Sequence, residues 1–117
     1  MLEEKAKDLG RLIGQSPEYQ ALKRSSEGLN DDREAVALLQ QMEKLRGEAQ
    51  QLIQRGENPT DEMEQQLDSM LEKIQSQTVY QRAVAAQENF DKLMVRVNQW
   101  IMDGMKKGAA SPIITLS

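Results

Sequence analysis

Carboxylates are the side chains best able to do chemistry in this sequence, and they form three clusters. The clusters are Glu3-Glu4, Asp31-Asp32 and Asp61-Glu62-Glu64. Each lies near the predicted start of a helix, where acidic side chains complement the helix dipole. Asn30-Asp31-Asp32 also lacks the alternating ligand spacing and the central glycine of a calcium loop. We therefore interpret the clusters as first-turn acids rather than as metal or acid–base sites.

Two residue types on which most active sites depend are absent. The 117 residues include neither cysteine nor histidine. This excludes disulfides, thiol nucleophiles and thiolate zinc sites, and it removes the usual general base at neutral pH. The sequence therefore predicts no metal, no cofactor and no catalytic residue, and it disfavours an enzyme.

Charge and hydropathy narrow the class of partner. The chain has 15 basic and 19 acidic residues, for a net charge of −4. Its only adjacent basic pairs are Lys23-Arg24 and Lys106-Lys107, whereas nucleic-acid binding needs a basic stripe. The N-terminus is charged, and no stretch approaches the roughly 18 apolar residues of a membrane span. We expect a soluble, cytoplasmic protein with a protein partner rather than nucleic acid or a membrane.

Helix start and stop signals divide the chain into five segments. Ser16-Pro17 has the form of an N-cap followed by proline at the first helical position, Thr60 is a second N-cap, and Gly56 suits a left-handed C-cap. The predicted helices are 2–14, 17–29, 32–55, 61–76 and 78–107. We expect a single all-α domain over 1–107 and a short flexible or partner-docked tail over 108–117. The segments 16–20 and 76–81 also share a Ser, Tyr, Gln pattern at a helix start, from which no repeat architecture follows.

Apolar residues in the third helix recur at spacings of three and four, which is typical of a helix–helix seam. The seam residues are Ala35, Leu38, Met42, Leu45, Ala49 and Leu52, widened on one side by Leu39 and Ile53. The fourth helix has a matching set, namely Met63, Leu67, Met70, Leu71 and Ile74. Because the link between these helices is short, they are predicted to form a long antiparallel hairpin.

The second half of the fifth helix is apolar in nearly every direction around its axis, and such a helix must be covered on all sides. This cover could come from the first two helices or from another subunit. The first two helices are short and can cover only part of the segment. We therefore expect another subunit to cover it, in a homodimer or higher homo-oligomer that forms a helical bundle. The predicted interface residues are Leu93, Met94, Val97, Trp100, Ile101, Met102 and Met105.

The order of these signals resembles one known family. The residues that carry the resemblance are Ser16-Pro17-Glu18-Tyr19-Gln20-Ala21-Leu22-Lys23, Asp32-Arg33-Glu34-Ala35, Arg55-Gly56-Glu57-Asn58-Pro59-Thr60, Val79-Tyr80-Gln81, Ala86-Gln87-Glu88-Asn89-Phe90 and Val97-Asn98. Over roughly residues 2 to 105, the chain resembles the YlbF/YmcA family of small helical bacterial regulators. The resemblance implies an all-helical oligomer that modulates other proteins without catalysis, in competence, sporulation, biofilm control or messenger-RNA processing with ribonuclease Y. Some relatives hold an iron–sulfur cluster through cysteines, which this chain lacks.

Two structural alternatives come from other classes of helical protein. A secreted helical-hairpin protein would carry a Trp-x-Gly turn, but Trp100 is followed by Ile101-Met102 inside a predicted helix. A prefoldin-like chaperone subunit needs strands between its coiled-coil arms, and the 56–60 link is too short to hold them. The sequence therefore favours a regulatory adaptor that acts through protein–protein contacts.

Overall fold

The computed structural model describes residues 1–110, which fold into five α-helices. They are α1 (Leu2–Gly14), α2 (Pro17–Asp31), α3 (Arg33–Gln54), α4 (Asp61–Gln75) and α5 (Thr78–Ala110). This confirms the all-α prediction, and the predicted helix ends are correct to within three residues. Of the predicted tail, residues 108–110 continue α5, and 111–117 lie outside the described residues.

The predicted N-caps and C-cap are confirmed by their hydrogen bonds. The Ser16 hydroxyl accepts from the Tyr19 N–H at 3.2 Å, and the Thr60 hydroxyl accepts from the Met63 N–H at 3.2 Å. Each bond satisfies one of the free N–H groups in the first turn of a helix. Gly56 has φ 82°, in the left-handed region that glycine adopts most easily.

The turn after α3 is a Schellman motif. The Gly56 N–H donates to the Ile53 carbonyl at 3.0 Å, and the Glu57 N–H donates to the Leu52 carbonyl at 2.8 Å. These two bonds satisfy carbonyls that the end of a helix leaves without partners. They stop α3 and turn the chain back towards α4.

Contrary to the prediction from sequence, the acidic pair Asp31-Asp32 does not lie in the first turn of a helix. Asp31 is the last residue of α2, and Asp32 is the N-cap of α3. Asp32 has an extended conformation, and its carboxylate accepts from the Ala35 N–H at 2.9 Å. Because a capping residue must leave the helical conformation, Asp32 ends one helix and begins the next.

The junctions α1–α2 and α4–α5 are built alike. The Gln20 amide donates to the Gly14 carbonyl at 2.8 Å, and the Gln81 amide donates to the Gln75 carbonyl at 2.7 Å. Each glutamine thus reaches from the first turn of one helix to the end of the preceding helix. The shared sequence pattern of 16–20 and 76–81 therefore corresponds to a shared corner.

The helices pack mainly as two pairs, α3 on α4 and α2 on α5, with α1 against α2. The main core lies at the base of the α3–α4 hairpin, where Ala35 and Ile74 are fully buried and Met42 nearly so. The half-buried residues around them come from four helices and are Leu29, Leu38, Leu39, Met70, Leu71, Val79 and Tyr80. Leu45 is also buried, as predicted, whereas Ile53 is exposed because it lies in the last turn of α3, near the hairpin tip.

Helices α2 and α5 run antiparallel. The Tyr19 and Phe90 rings pack at a tilt of 60° with centroids 5.7 Å apart. One end of the pair is marked by Arg96 and Glu18, whose charged groups are 3.9 Å apart. Sequence periodicity did not indicate this pairing, which joins residues that are far apart in the chain.

The molecule is elongated, with principal extents of 67 × 37 × 19 Å. Its Cα radius of gyration is 21.6 Å, compared with about 13 Å for a compact domain of this length. The hairpin and the C-terminal part of α5 therefore extend beyond any common core.

Candidate interaction surfaces

The carboxylates of residues 1–110 do not assemble into a metal-binding group. Residues 1–110 hold no group of three or more Asp or Glu side chains that could bind a metal ion. Glu3 and Glu4 lie in the first turn of α1, and Asp61, Glu62 and Glu64 lie in the first turn of α4. These two clusters thus occupy the helix-dipole positions that the sequence predicts.

A patch of large apolar side chains on α5 is left uncovered by the chain itself. Trp100 and Met105 are 61% and 67% exposed, and Ile101 and Met102 are also exposed. We call these four residues the α5 apolar surface. Helices α1 and α2 therefore do not wrap this segment. No helix among residues 1–110 combines the length and apolar character needed to cross a membrane.

The structure divides the seven predicted interface residues into three groups. Trp100, Ile101, Met102 and Met105 form the α5 apolar surface. Leu93 and Met94 are half-buried. Val97 is only 4% exposed and lies next to Arg96, which faces Glu18 of α2. Val97 therefore belongs to the core of its own chain rather than to an exposed surface.

A second surface, which sequence reasoning missed, is an open groove between α2 and α5. Its larger part has a volume of about 530 Å³ and runs from Ala21 to Gly28 on α2 and from Val79 to Asn89 on α5. Its continuation reaches Pro17 and Glu18 on α2 and Lys92 and Arg96 on α5. We call the two parts together the α2–α5 groove.

The α2–α5 groove combines small side chains with positive charge. Its lining includes the small residues Ala21, Ser25, Gly28, Ala85 and Ala86. The charged residues of the lining are Arg24, Arg82, Lys92, Arg96 and a single acid, Glu18. The groove is thus basic although the chain carries a net charge of −4.

One signal in the sequence could have revealed this groove. Arg82, Asn89 and Arg96 are spaced by seven, so they lie on one face of a helix. Lys92 lies near the same face. The basic residues look scattered along the chain because this helical spacing separates them.

Comparison with known proteins agrees with this fold. Residues 2–106 match the family described as control of competence regulator ComK, YlbF/YmcA. A UPF0342 protein of Streptococcus sanguinis is 31% identical over 98 residues, covering 84% of this chain and 88% of that protein. A UPF0342 protein of Streptococcus gordonii is 35% identical over 74 residues, covering 63% of this chain and 66% of that protein.

A solved structure shares the arrangement of helices. One chain in the crystal structure of Bacillus subtilis RicA in complex with RicF superposes on this protein with a TM-score of 0.79. The match covers 92% of this chain and 96% of that chain at 15% sequence identity, so it supports the fold alone. The family match spans nearly the whole described chain, and it shows that the chain belongs to the YlbF/YmcA family.

Proposed function

We propose that this protein is a non-catalytic regulatory adaptor that acts through protein–protein contacts. The observation that carries the proposal is the α5 apolar surface, because monomers rarely expose contiguous apolar patches of more than a few hundred Å² and Trp100 is 61% exposed. Tryptophan is a frequent anchor of protein interfaces. The family description as a regulator and the complex of RicA with RicF support the same function.

We also propose that the chain forms a homodimer or a higher homo-oligomer through the second half of α5. The chain exposes 9336 Å² of surface, whereas a folded monomer of 13.3 kDa exposes about 6,500 Å². The excess of roughly 2,800 Å² per chain is more than enough to supply one side of a large homodimer interface, which buries about 2,000–5,000 Å² over both partners. A second copy would cover surface that one chain leaves in water.

The resemblance implies two alternative regulated processes, messenger-RNA processing and developmental control. We propose that the adaptor serves one of them, and the involvement in messenger-RNA processing is the proposal that can be tested directly. A strain that lacks the gene is compared with strains that carry the wild-type or the Met102→Glu protein. Altered messenger-RNA processing sites that the wild type restores and Met102→Glu does not would support this proposal. Unaltered processing in the deletion strain would contradict it and leave developmental control.

The adaptor proposal is tested by affinity purification from the native host with three forms of the protein. Met102→Glu places a charge in the α5 apolar surface, and Gln99→Glu places the same charge on the polar side of the same helix. We expect defined proteins to co-purify with the wild type and with Gln99→Glu, and to be lost with Met102→Glu. Equal recovery with all three forms would place partner binding elsewhere on the molecule.

The cytoplasmic location of the protein stays a prediction from its sequence.

A further inference from the structure

The surface of α4 carries an acidic stripe that is not used within its own chain. Asp61, Glu64, Asp68 and Glu72 are all exposed and lie within about 80° of one another around the helix, at about 100° per residue. The stripe contains no basic residue, since Lys73 lines the cleft between α3 and α4 instead. It forms a straight row of negative charge about 17 Å long, at 1.5 Å per residue.

The acidic stripe and the α2–α5 groove are complementary in charge and length. The groove has four basic side chains against one acidic one, and the stripe has four acidic ones. From Arg82 to Arg96 the groove extends along α5 for about 21 Å, at 1.5 Å per residue. Alanine, serine and glycine in the groove lining leave room for a helix to approach closely.

Within one chain the two surfaces stay apart. Helix α4 packs along α3 and meets α5 only to a small extent, whereas α5 packs mainly on α2. The junction Ser76–Gln77 holds the end of α4 at the start of α5. The stripe of α4 is therefore available to a groove on another molecule.

We propose that the α2–α5 groove receives the acidic stripe of α4 from a second copy of this chain. In a two-fold symmetric pair, each copy offers one α4 and accepts one, so the contact closes without further growth. This inference rests on the self-association proposed above and names its second contact region.

The groove is continuous with the α5 apolar surface. Arg82, Asn89, Arg96 and Trp100 are spaced by seven, seven and four, so they follow one face of α5. The charged pairs would set the orientation of the two copies, since charge complementarity gives specificity. Burial of Trp100 one turn beyond Arg96 would supply apolar area.

Two charge-reversed proteins test this contact. The groove variant combines Arg24→Glu with Arg82→Glu, and the stripe variant combines Asp68→Lys with Glu72→Lys. In either protein alone, like charges face each other in both contacts of a symmetric pair. We expect the dissociation constant of each to rise by at least roughly tenfold, because juxtaposed like charges disfavour an interface strongly.

Mixing the two variants gives the decisive result. In a mixed pair, the reversed groove faces the reversed stripe, and the second contact is wild-type on both sides. We expect light scattering to show a mass near 13.3 kDa for each variant alone and the wild-type mass for the equimolar mixture. Circular dichroism confirms that each variant is folded. A matched control, Arg33→Glu with Arg46→Glu on α3, has the net charge of the groove variant and should keep the wild-type mass.

Each other outcome overturns the inference. If both variants keep the wild-type mass, the groove and the stripe do not meet. If both are monomers and the mixture stays monomeric, both surfaces are needed for self-association but do not face each other, and the stripe of α4 is not the occupant of the groove. Loss of association in Met102→Glu together with intact association in both charge variants would leave self-association standing and refute the groove contact. A monomeric wild-type protein would refute both the proposed self-association and the groove contact.

Discussion

At the scale of single residues, the ends of the helices are set by local chemistry that is legible in the sequence. Ser16 and Thr60 cap the helices that they were predicted to cap. Gly56 has the positive φ that its position after α3 requires. In contrast, Gly47 lies inside α3, and a Cβ added there would meet no atom within 4 Å. These two glycines therefore have opposite roles in stability.

The two glycines give a matched prediction. Gly47→Ala should raise the free energy of unfolding by about 1 kcal/mol, because alanine has the higher helix propensity and nothing crowds it. Gly56→Ala should lower it by about 1–2 kcal/mol, because an L-residue is strained in the left-handed region. Urea unfolding followed by circular dichroism measures both. Changes of the same sign in the two variants would contradict the assigned roles.

At the scale of the elements, the α3–α4 hairpin is held by a narrow set of buried residues. Its base shares a core with α2 and α5, around Ala35, Met42 and Ile74. Further out, Leu45 is buried, while Leu52 and Leu67 are only half-buried. The hairpin is thus most stable at its base, and its outer half depends on a few side chains.

Leu45→Ala tests this seam against an exposed residue of the same helix. We expect a loss of about 2–5 kcal/mol, the usual range for truncating a buried leucine. Ile53→Ala should cost less than about 0.5 kcal/mol beyond propensity effects, as surface substitutions do, because Ile53 is 55% exposed. Unfolding free energies from urea titration separate the two. Equal losses would mean that Ile53 is covered in solution, as it would be if another chain packed on the hairpin tip.

The part of the fold that sequence could predict is the part that local signals determine. Caps, helix ends and the α3–α4 hairpin follow from neighbouring residues and a short link. The pairing of α2 with α5 brings Tyr19 against Phe90, across a stretch of chain that carries no pairing signal. Periodicity shows that a helix face is covered but not which helix covers it. For the same reason Val97 was assigned to an interface, and the α2–α5 groove was missed.

At the scale of the whole molecule, the exposed tryptophan reports on assembly. Trp100 is the single tryptophan of the chain and lies in the α5 apolar surface. Its fluorescence therefore reflects one environment. In an isolated chain the indole is in water, and in the proposed assembly it is covered.

Dilution of the wild-type protein should shift the tryptophan emission to longer wavelength as assemblies dissociate. The Met102→Glu variant should emit at the long-wavelength limit at every concentration, because its α5 apolar surface cannot be covered. Gln99→Glu should behave as the wild type. An emission maximum that is independent of concentration in all three proteins would contradict burial of Trp100 on association.

The α3–α4 hairpin is joined to α2 at Asp32 and to α5 just before Thr78. Both connections therefore lie at the base of the hairpin, beside the core that it shares with α2 and α5. At the other end of the hairpin, the turn at Gly56 connects α3 to α4. Evolution can therefore lengthen or shorten the hairpin by adding or removing matching turns in α3 and α4, without disturbing the packing of α2 on α5. In relatives with the same base but hairpins of different length, a surface on the hairpin would then lie at a different distance from the α2–α5 groove.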